Sequence, residues 1–323
     1  VDTSRHAFKY NKSLYANLAL HFGLSTLAAV LAILDFYVAF PLACLVFVSY
    51  WADTSKKSLV LRRVFPFRPA ENLLARIGPA NPKKRIVLIG HADAAYTGFL
   101  FNPKMVAVAT KAPPLEILAW TRRSLLLALV SVGAMLAAFM VNWVVTHWIV
   151  DVVIVVLAIP SLITFLLNVD VVLRNTIVPG ASDNLSGCAA CVELATRFSE
   201  RDLGETELVF VISSCEEAST GGALMLCRDK LKEWSTDDTI IIALDTLWGG
   251  TLRYLAESEF FAARVHDELQ DAIAKTSEET GRAIEEYDIP TGATDAWPFM
   301  QHGYKGCALV CVDPELGAPR NYH

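Results

Sequence analysis

The chain of 323 residues carries a formal net charge of −6, is 54% hydrophobic and only 19% charged, and has a mean hydropathy of +0.39. Soluble domains carry about 25% charged residues, so this composition excludes a disordered or collagen-like chain and disfavours an ordinary cytosolic enzyme. The sequence has no block of Lys and Arg of the kind that binds nucleic acid, and we expect no nucleic-acid partner. The chain begins with Val1 instead of Met, and we expect the native protein to continue beyond His323.

A polar segment, residues 1–13, precedes a first apolar stretch that is almost free of charge. This stretch runs from Leu14 to Trp51, and Asp35 is its only acidic residue. It is about twice the ~20 residues that one helix needs to cross a bilayer. The pattern therefore predicts a transmembrane helical hairpin at residues 14–51, with its turn near Asp35.

A second apolar stretch, residues 124–169, has the same design, with a turn predicted at His147 to Asp151. It interrupts a globular domain, predicted at 52–123 and 170–323. Basic residues flank the outer ends of both hairpins: Lys9, Lys12, Lys56, Lys57, Arg62, Arg63, Arg122, Arg123 and Arg174. The positive-inside rule then predicts an integral membrane protein with its globular domain on the cytoplasmic side. The alternative is that the apolar stretches are buried core helices of a large soluble protein.

Four continuous apolar runs, at 85–90, 207–212, 239–244 and 306–312, are typical of strands that are covered on both faces. Residues 71–77 predict an earlier strand. Helical patterns lie between the runs, at 184–200 and in a polar stretch at 253–286. Strands that alternate with helices predict an α/β sheet.

Acids and imidazoles follow the predicted strands. The first run leads into His91 and Asp93, the second into Glu216 and Glu217, and the third into Asp245. Ligands of open α/β sheets bind outside the carboxyl ends of the strands. Alone, each residue has an ordinary explanation as a turn or surface residue, but their recurrence at successive strand ends predicts a functional site.

Two zinc ions would account for this set of side chains, because zinc accepts imidazole nitrogen and carboxylate oxygen. We expect His91 and Asp245 to hold one ion, and Glu217 and His323 to hold the other. Asp183, which alone would be explained as a helix N-cap, is expected to bridge the two ions together with a water or hydroxide.

Two further carboxylates are available for catalysis. Asp93 is expected to accept a hydrogen bond from the imidazole of His91 and so to fix its tautomer. Glu216 points away from Glu217 on an extended chain, so it is expected to act as general base while its neighbour binds metal.

With these residues the chain resembles the co-catalytic zinc aminopeptidase superfamily, which includes leucyl aminopeptidases, glutamate carboxypeptidase, glutaminyl cyclase and transferrin-receptor-like relatives. Five pieces carry the resemblance, in order: Ile89-Gly-His91-Ala-Asp93, Gly180-Ala-Ser-Asp183-Asn184-Leu-Ser-Gly187, Cys215-Glu216-Glu217 with Gly221-Gly222, Ala243-Leu-Asp245, and Thr294-Asp295-Ala-Trp-Pro298-Phe299 before Tyr322-His323. The resemblance implies a three-layer α/β/α fold with a mixed sheet, two zinc ions and hydrolysis of amino-terminal peptide bonds.

The expected function is thus a membrane-anchored zinc exopeptidase that acts on peptides through a zinc-bridged hydroxide, with Glu216 as general base. Three alternatives stay open at this point. The first is a catalytically inactive receptor or scaffold on the same fold. The second is a glutaminyl-cyclase-like acyltransferase with one zinc. The third is a transporter or scaffold in which the hairpins are the functional part.

Overall fold

A computed structural model describes residues 1–12, 14–109, 124–145, 147–257, 264–288 and 292–320 of the chain. It consists of a mixed sheet with helices on both faces and a bundle of four long helices. The strands are β1 (Asp2–Tyr10), β2 (Arg68–Ile77), β3 (Lys84–His91), β4 (Tyr96–Thr97), β5 (Thr176–Ile177), β6 (Thr206–Ser213), β7 (Thr239–Leu244), β8 (Thr251–Glu257), β9 (Glu285–Asp288) and β10 (Lys305–Val312). The α-helices are α1 (Leu14–Leu34), α2 (Phe36–Thr54), α3 (Pro103–Ala109), α4 (Ser124–Val144), α5 (Trp148–Arg174), α6 (Ser186–Phe198), α7 (Gly221–Lys230), α8 (Asp267–Thr280) and α9 (Ala296–Met300).

The main sheet has eight strands in the order β1-β2-β6-β3-β7-β10-β8-β9. Its centre, β6-β3-β7-β10, is parallel, and β2 and β8 flank this centre in antiparallel orientation. The four parallel strands are the four apolar runs of the sequence. Strands β4 and β5 form a separate two-stranded ribbon.

Alternate residues of β7 divide the core into two layers. Ile241 belongs to the cluster formed with α7 and α9, where Leu226 and Phe299 are fully buried. Its neighbours Ile240 and Ile242 face the opposite side, where α6 and α8 pack. Side chains of a strand alternate between the faces of a sheet, so a continuous apolar run needs cover on both sides. The predicted three-layer, mixed-sheet α/β class is confirmed.

Two regions differ from the sequence-based expectation. The polar segment 1–13 contains β1, which pairs with β2 at the edge of the sheet and buries Phe8 and Tyr10. An edge strand with one exposed face contains few apolar residues, so its sequence resembles a polar tail. The stretch 253–286, predicted as helical, holds most of β8, then α8, and the start of β9.

The two apolar stretches form helical hairpins, α1–α2 and α4–α5, and the four helices pack into one bundle around small residues such as Ala28, Ala39 and Ala43. The Asp35 carboxylate caps α2 by accepting a hydrogen bond from the amide of Tyr37, at 2.9 Å. His147 caps α5 in the same way. At each turn a polar side chain thus satisfies a free helix N-terminus. The first turn lies near Asp35 as predicted, whereas residues 148–151, which were predicted as part of the second turn, already belong to α5.

All four helices of the bundle are long and apolar enough to cross a membrane. Helix α5 is the most apolar and exposes a row of large side chains: Val152, Val153, Val155, Val156, Ile159, Leu162, Ile163 and Leu166. Tyr37, Trp143 and Trp148 are exposed near the two turns. Soluble monomers rarely expose apolar patches of this extent, whereas lipid covers them at no cost.

Candidate metal centre

Three neighbouring parallel strands deliver the predicted site residues to one edge of the sheet. His91 ends β3 and lies in register with Ser213, the last residue of β6. Ile89 of β3 is in register with Ala243 of β7, which places Asp245 level with His91. The loop after β6 carries Glu216 and Glu217 to the same edge. The central strands thus bring together side chains that are distant in sequence, as open α/β sheets do at their carboxyl ends.

Asp183 reaches this edge through the short segment Ala181–Leu185 that precedes α6. The side chain of the next residue, Asn184, ties this segment to the end of β7. Its amide nitrogen donates to the Leu244 carbonyl at 2.8 Å, and its oxygen accepts from the amides of Thr246, at 3.1 Å, and Gly187, at 3.0 Å. Asn184 thereby fixes the positions of Asp183 and Asp245 relative to each other.

The imidazole of His91 is the centre of the cluster. Its Nε2 atom lies 3.0 Å from Asp183 Oδ1, 3.8 Å from Glu216 Oε2 and 3.9 Å from Asp245 Oδ2. Two overlapping groups have ligand atoms close enough to share a metal ion: His91 with Asp183 and Asp245, and His91 with Glu216 and Glu217. The residues predicted to bind the first zinc therefore converge. Of the two residues predicted to bind the second zinc, Glu217 lies in this cluster, whereas His323 lies outside the described residues.

Asp93 contacts this cluster through its backbone and its carboxylate. Its backbone carbonyl lies 3.1 Å from His91 Nδ1, closer than its carboxylate at 3.7 Å. A proton on Nδ1 that is donated to this carbonyl leaves Nε2 free to bind a metal. The carboxylate of Asp93 accepts hydrogen bonds from the amides of Glu216, at 3.1 Å, and Glu217, at 3.0 Å. Asp93 therefore connects the loop after β3 to the loop that bears both glutamates.

The buried carboxylates of this site create a negative potential that favours the binding of cations. Burial raises the pKa of Glu216 and Glu217 well above 4.5, and burial together with Asp183 raises the pKa of Asp245 to about 7. Burial opposes protonation of His91, but the surrounding carboxylates outweigh it and raise the pKa of this imidazole well above 6.5. Buried like charges cannot all ionise without a partner, and divalent cations would supply one.

Asp295 is a further buried acid at the site, which sequence reasoning placed in a motif without assigning it a role. It precedes α9, is 2% exposed and accepts a hydrogen bond from the hydroxyl of Ser213. Burial raises its pKa to about 6. The signal that pointed to Asp295 was the Thr294-Asp295 pair before Pro298-Phe299.

The donor set fits zinc. One imidazole nitrogen with several carboxylate oxygens suits zinc or a similar transition metal, whereas calcium and magnesium prefer oxygen ligands alone. The pocket is largely buried, with Asp183 and His91 at 7% and 1% exposure.

Replacing Asn184 with Ala is expected to destabilise the protein by about 3 kcal/mol, because it removes three buried hydrogen bonds. The apparent Tm in detergent should fall by roughly 5–10 °C. The matched control is Asn102→Ala, which removes an exposed side chain that accepts only from the Lys104 amide at 3.0 Å in the described residues. Equal Tm values for the two variants would contradict the role given to Asn184.

Residues 167–323 match the profile described as peptidase family M28. No curated protein matches the chain. The solved structures with similar folds include the following three: a zinc aminopeptidase from Bacillus subtilis (14% identity, 79% of this chain and 44% of that chain, TM-score 0.45), an aminopeptidase from Aneurinibacillus sp. strain AM-1 (17%, 80% and 43%, 0.45), and a glutaminyl cyclase from Porphyromonas gingivalis (11%, 84% and 85%, 0.44).

The chain spans less than half the length of the first aminopeptidases that it matches. The family match covers α6, three of the four central parallel strands, and Asp183, Glu216, Glu217 and Asp245. It confirms the predicted resemblance to the zinc aminopeptidase superfamily. Over residues 167–323, the chain is therefore similar to peptidase family M28.

Proposed function

We propose that the protein is a membrane-anchored zinc exopeptidase that removes residues from the amino terminus of peptides. The observation that carries this proposal is the buried cluster at the carboxyl ends of β3, β6 and β7. There, His91 Nε2 lies within 4 Å of the carboxylates of Asp183, Glu216 and Asp245.

Zinc would be held by His91, Asp183 and Asp245 at one position and by Glu217 at a second, with Asp183 shared and His323 completing the second set. When bound there, zinc supplies Lewis acidity, which polarises a carbonyl and lowers the pKa of water. The chain holds the ligands rigidly: the Asp93 carbonyl orients the His91 ring, and Asn184 aligns Asp183 with Asp245.

Glu216 is the side chain best suited to move the proton. In the proposed reaction it accepts a proton from the attacking water and delivers it to the nitrogen of the departing amine. Burial raises its pKa, which brings a carboxylate closer to the neutral range in which it can both accept and release a proton. Its amide is fixed by Asp93 Oδ1 at 3.1 Å, so the carboxylate is presented from an anchored backbone.

The surplus of acids favours a substrate that carries a positive charge. Asp93 and Asp295 lie beside the ligand cluster without being assigned as ligands, and a free α-ammonium group would be attracted to this negative field. The charge of the site thus supports cleavage at the amino terminus of a peptide.

The four apolar helices would anchor the protein in the bilayer with the peptidase domain on the cytoplasmic side. Exposed cations lie in the segments next to the helix ends that adjoin the sheet: Lys9, Lys12, Lys57, Arg63 and Arg174. A reporter that is active only outside the cytoplasm is expected to be inactive when fused after Lys57 and active when fused at Asp35, because the two positions lie on opposite sides of the bilayer. The reverse pattern would contradict this orientation.

The experiment that tests the proposed function uses the full-length protein purified in detergent. Elemental analysis should find about two zinc ions per chain, and a panel of aminoacyl-arylamides should reveal release of the terminal residue. About one zinc with cyclisation of amino-terminal glutamine would indicate acyl transfer instead. Absence of both metal and turnover would contradict the proposal and favour a binding role.

A further inference from the structure

The loop that carries Glu216 and Glu217 has an unfavourable backbone conformation. Cys215, Ser219 and Thr220 all have left-handed φ angles, at 60°, 81° and 52°. Such angles are uncommon for residues other than glycine and persist only where the surroundings impose them. The loop therefore depends on contacts from outside to hold the two glutamates in place.

The base of the loop is held by a residue of the sheet. Asn72 of β2 accepts from the amide of Ser214 at 3.1 Å and donates to the carbonyl of Gly222 at 2.9 Å, so it joins both ends. Gly222 has no room for a side chain, because a Cβ atom there would lie 2.2 Å from the Ser214 carbonyl oxygen. Asp93 holds the glutamate side of the loop through the two amides described above.

The opposite side of the loop is held by the segment that follows α2. Lys56 Nζ donates to the carbonyl of Ser219 at 2.7 Å and contacts its hydroxyl at 2.5 Å. Arg62 donates to the carbonyl of Ala218 at 2.8 Å. From the sequence, both residues were predicted only to flank the first hairpin; in the structure Lys56 is 2% and Arg62 is 1% exposed. Burying a charged group costs free energy unless the group is paired or hydrogen-bonded. A cation that only flanked a membrane helix would stay in water, so the burial of these two side chains indicates that their contacts with the loop have a structural role.

Arg62 in turn links the loop to the bundle. Its Nε donates to Asp53 Oδ2 of α2 at 3.0 Å, and the same oxygen accepts from the Asn17 amide of α1 at 2.6 Å. Lys56 also lies 5.0 Å above the ring of Trp297, which packs among bundle side chains such as Phe22 and Tyr50. A continuous set of contacts therefore runs from the first hairpin to the carbonyls just after Glu217.

We propose that Lys56 and Arg62 are positioning residues for the Glu216–Glu217 loop, and that the first helical hairpin is thereby a working part of the active site as well as an anchor. This inference rests on the proposed peptidase function. A displacement of about 1 Å at a reacting group can lower the rate by about 10²-fold, so loss of these contacts should reduce turnover without removing any ligand.

The test compares Lys56→Met with Lys56→Arg, which restores a donor, and with Lys57→Met as the matched control. Lys57 is the exposed neighbour, and its ammonium lies over the Trp51 ring at 4.4 Å, away from the loop. The measurements are amide hydrogen exchange of residues 215–222 and the separate values of kcat and KM at saturating zinc.

For Lys56→Met we expect faster exchange of the loop and a fall in kcat of about 10–100-fold, with KM changed less than about threefold. Lys56→Arg should recover most of kcat, and Lys57→Met should match the wild type. Arg62→Lys, which keeps the charge but cannot bridge Asp53 and Ala218 in the same way, should also speed exchange of the loop.

Unchanged loop exchange in both Lys56→Met and Arg62→Lys would overturn the proposal. An equal loss of kcat in Lys56→Arg and Lys56→Met would also overturn it, because a positioning contact should respond to the restored donor. Absence of turnover in the wild type would instead refute the peptidase function, and the exchange data would still decide whether the hairpin orders the loop.

Discussion

Replacing Glu216 with Gln is expected to lower kcat for aminoacyl-arylamide hydrolysis by about 10²–10⁴-fold, while bound zinc stays at the wild-type level. The amide is nearly the same size as the carboxylate but cannot accept the proton of the attacking water. Glu216 is assigned no role as a ligand, and its backbone amide would still donate to Asp93. KM should change little, because the substitution acts on proton transfer.

The control for this experiment is Glu193→Gln, which makes the same chemical change on the exposed face of α6. Glu193 pairs there only with Arg197, at 2.6 Å, among the described residues. It should retain wild-type kcat and zinc content. If Glu216→Gln kept wild-type kcat, the general-base assignment would be wrong. If it lost zinc and activity together, Glu216 would be a ligand, as its place in the group with His91 and Glu217 also allows.

The central sheet could be predicted from the sequence because its strands are buried on both faces. The runs that end at Gly90, Ile212 and Leu244 are short, apolar at nearly every position and rich in β-branched residues, which favours buried strands over helices. Once these strands were recognised, the rule that parallel strands present their carboxyl ends together was enough to gather His91, Glu216 and Asp245 at one edge.

The contacts that position the site could not be predicted in the same way. Lys56 and Arg62 follow an apolar helix, where cations are usually explained as membrane flanks, and nothing in their spacing shows that they reach Ser219 and Ala218 more than 150 residues later. Asn184 was similarly visible only as part of a motif. Two of its three hydrogen bonds, to Leu244 and Thr246, depend on β7 ending beside α6, which is a tertiary arrangement and leaves no local pattern.

Replacing Asp183 with Asn should reduce bound zinc more than any other single ligand substitution. Asp183 lies 3.0 Å from His91 Nε2, and its charge also raises the pKa of both Asp245 and Glu217. It is the carboxylate that both proposed metal positions would share. We expect about two zinc ions per chain in the wild type, about one in Asp245→Asn or Glu217→Gln, and well under one in Asp183→Asn, with activity falling below detection in the last.

Asp202→Asn is the matched control, since its exposed carboxylate accepts only from the amide of Gly204, at 2.9 Å, among the described residues, and it should retain about two zinc ions. Each variant is measured by elemental analysis after dialysis against metal-free buffer, so the result does not depend on knowing the substrate. If Asp183→Asn kept one zinc while Asp245→Asn kept none, the ion would be held without a shared carboxylate. The site would then be mononuclear, and the acyl-transfer alternative would replace the dinuclear peptidase. Loss of a bridging ligand affects both metal positions, whereas loss of any other ligand affects only one. The zinc contents of the three variants therefore distinguish a dinuclear from a mononuclear site more clearly than the zinc content of the wild type alone.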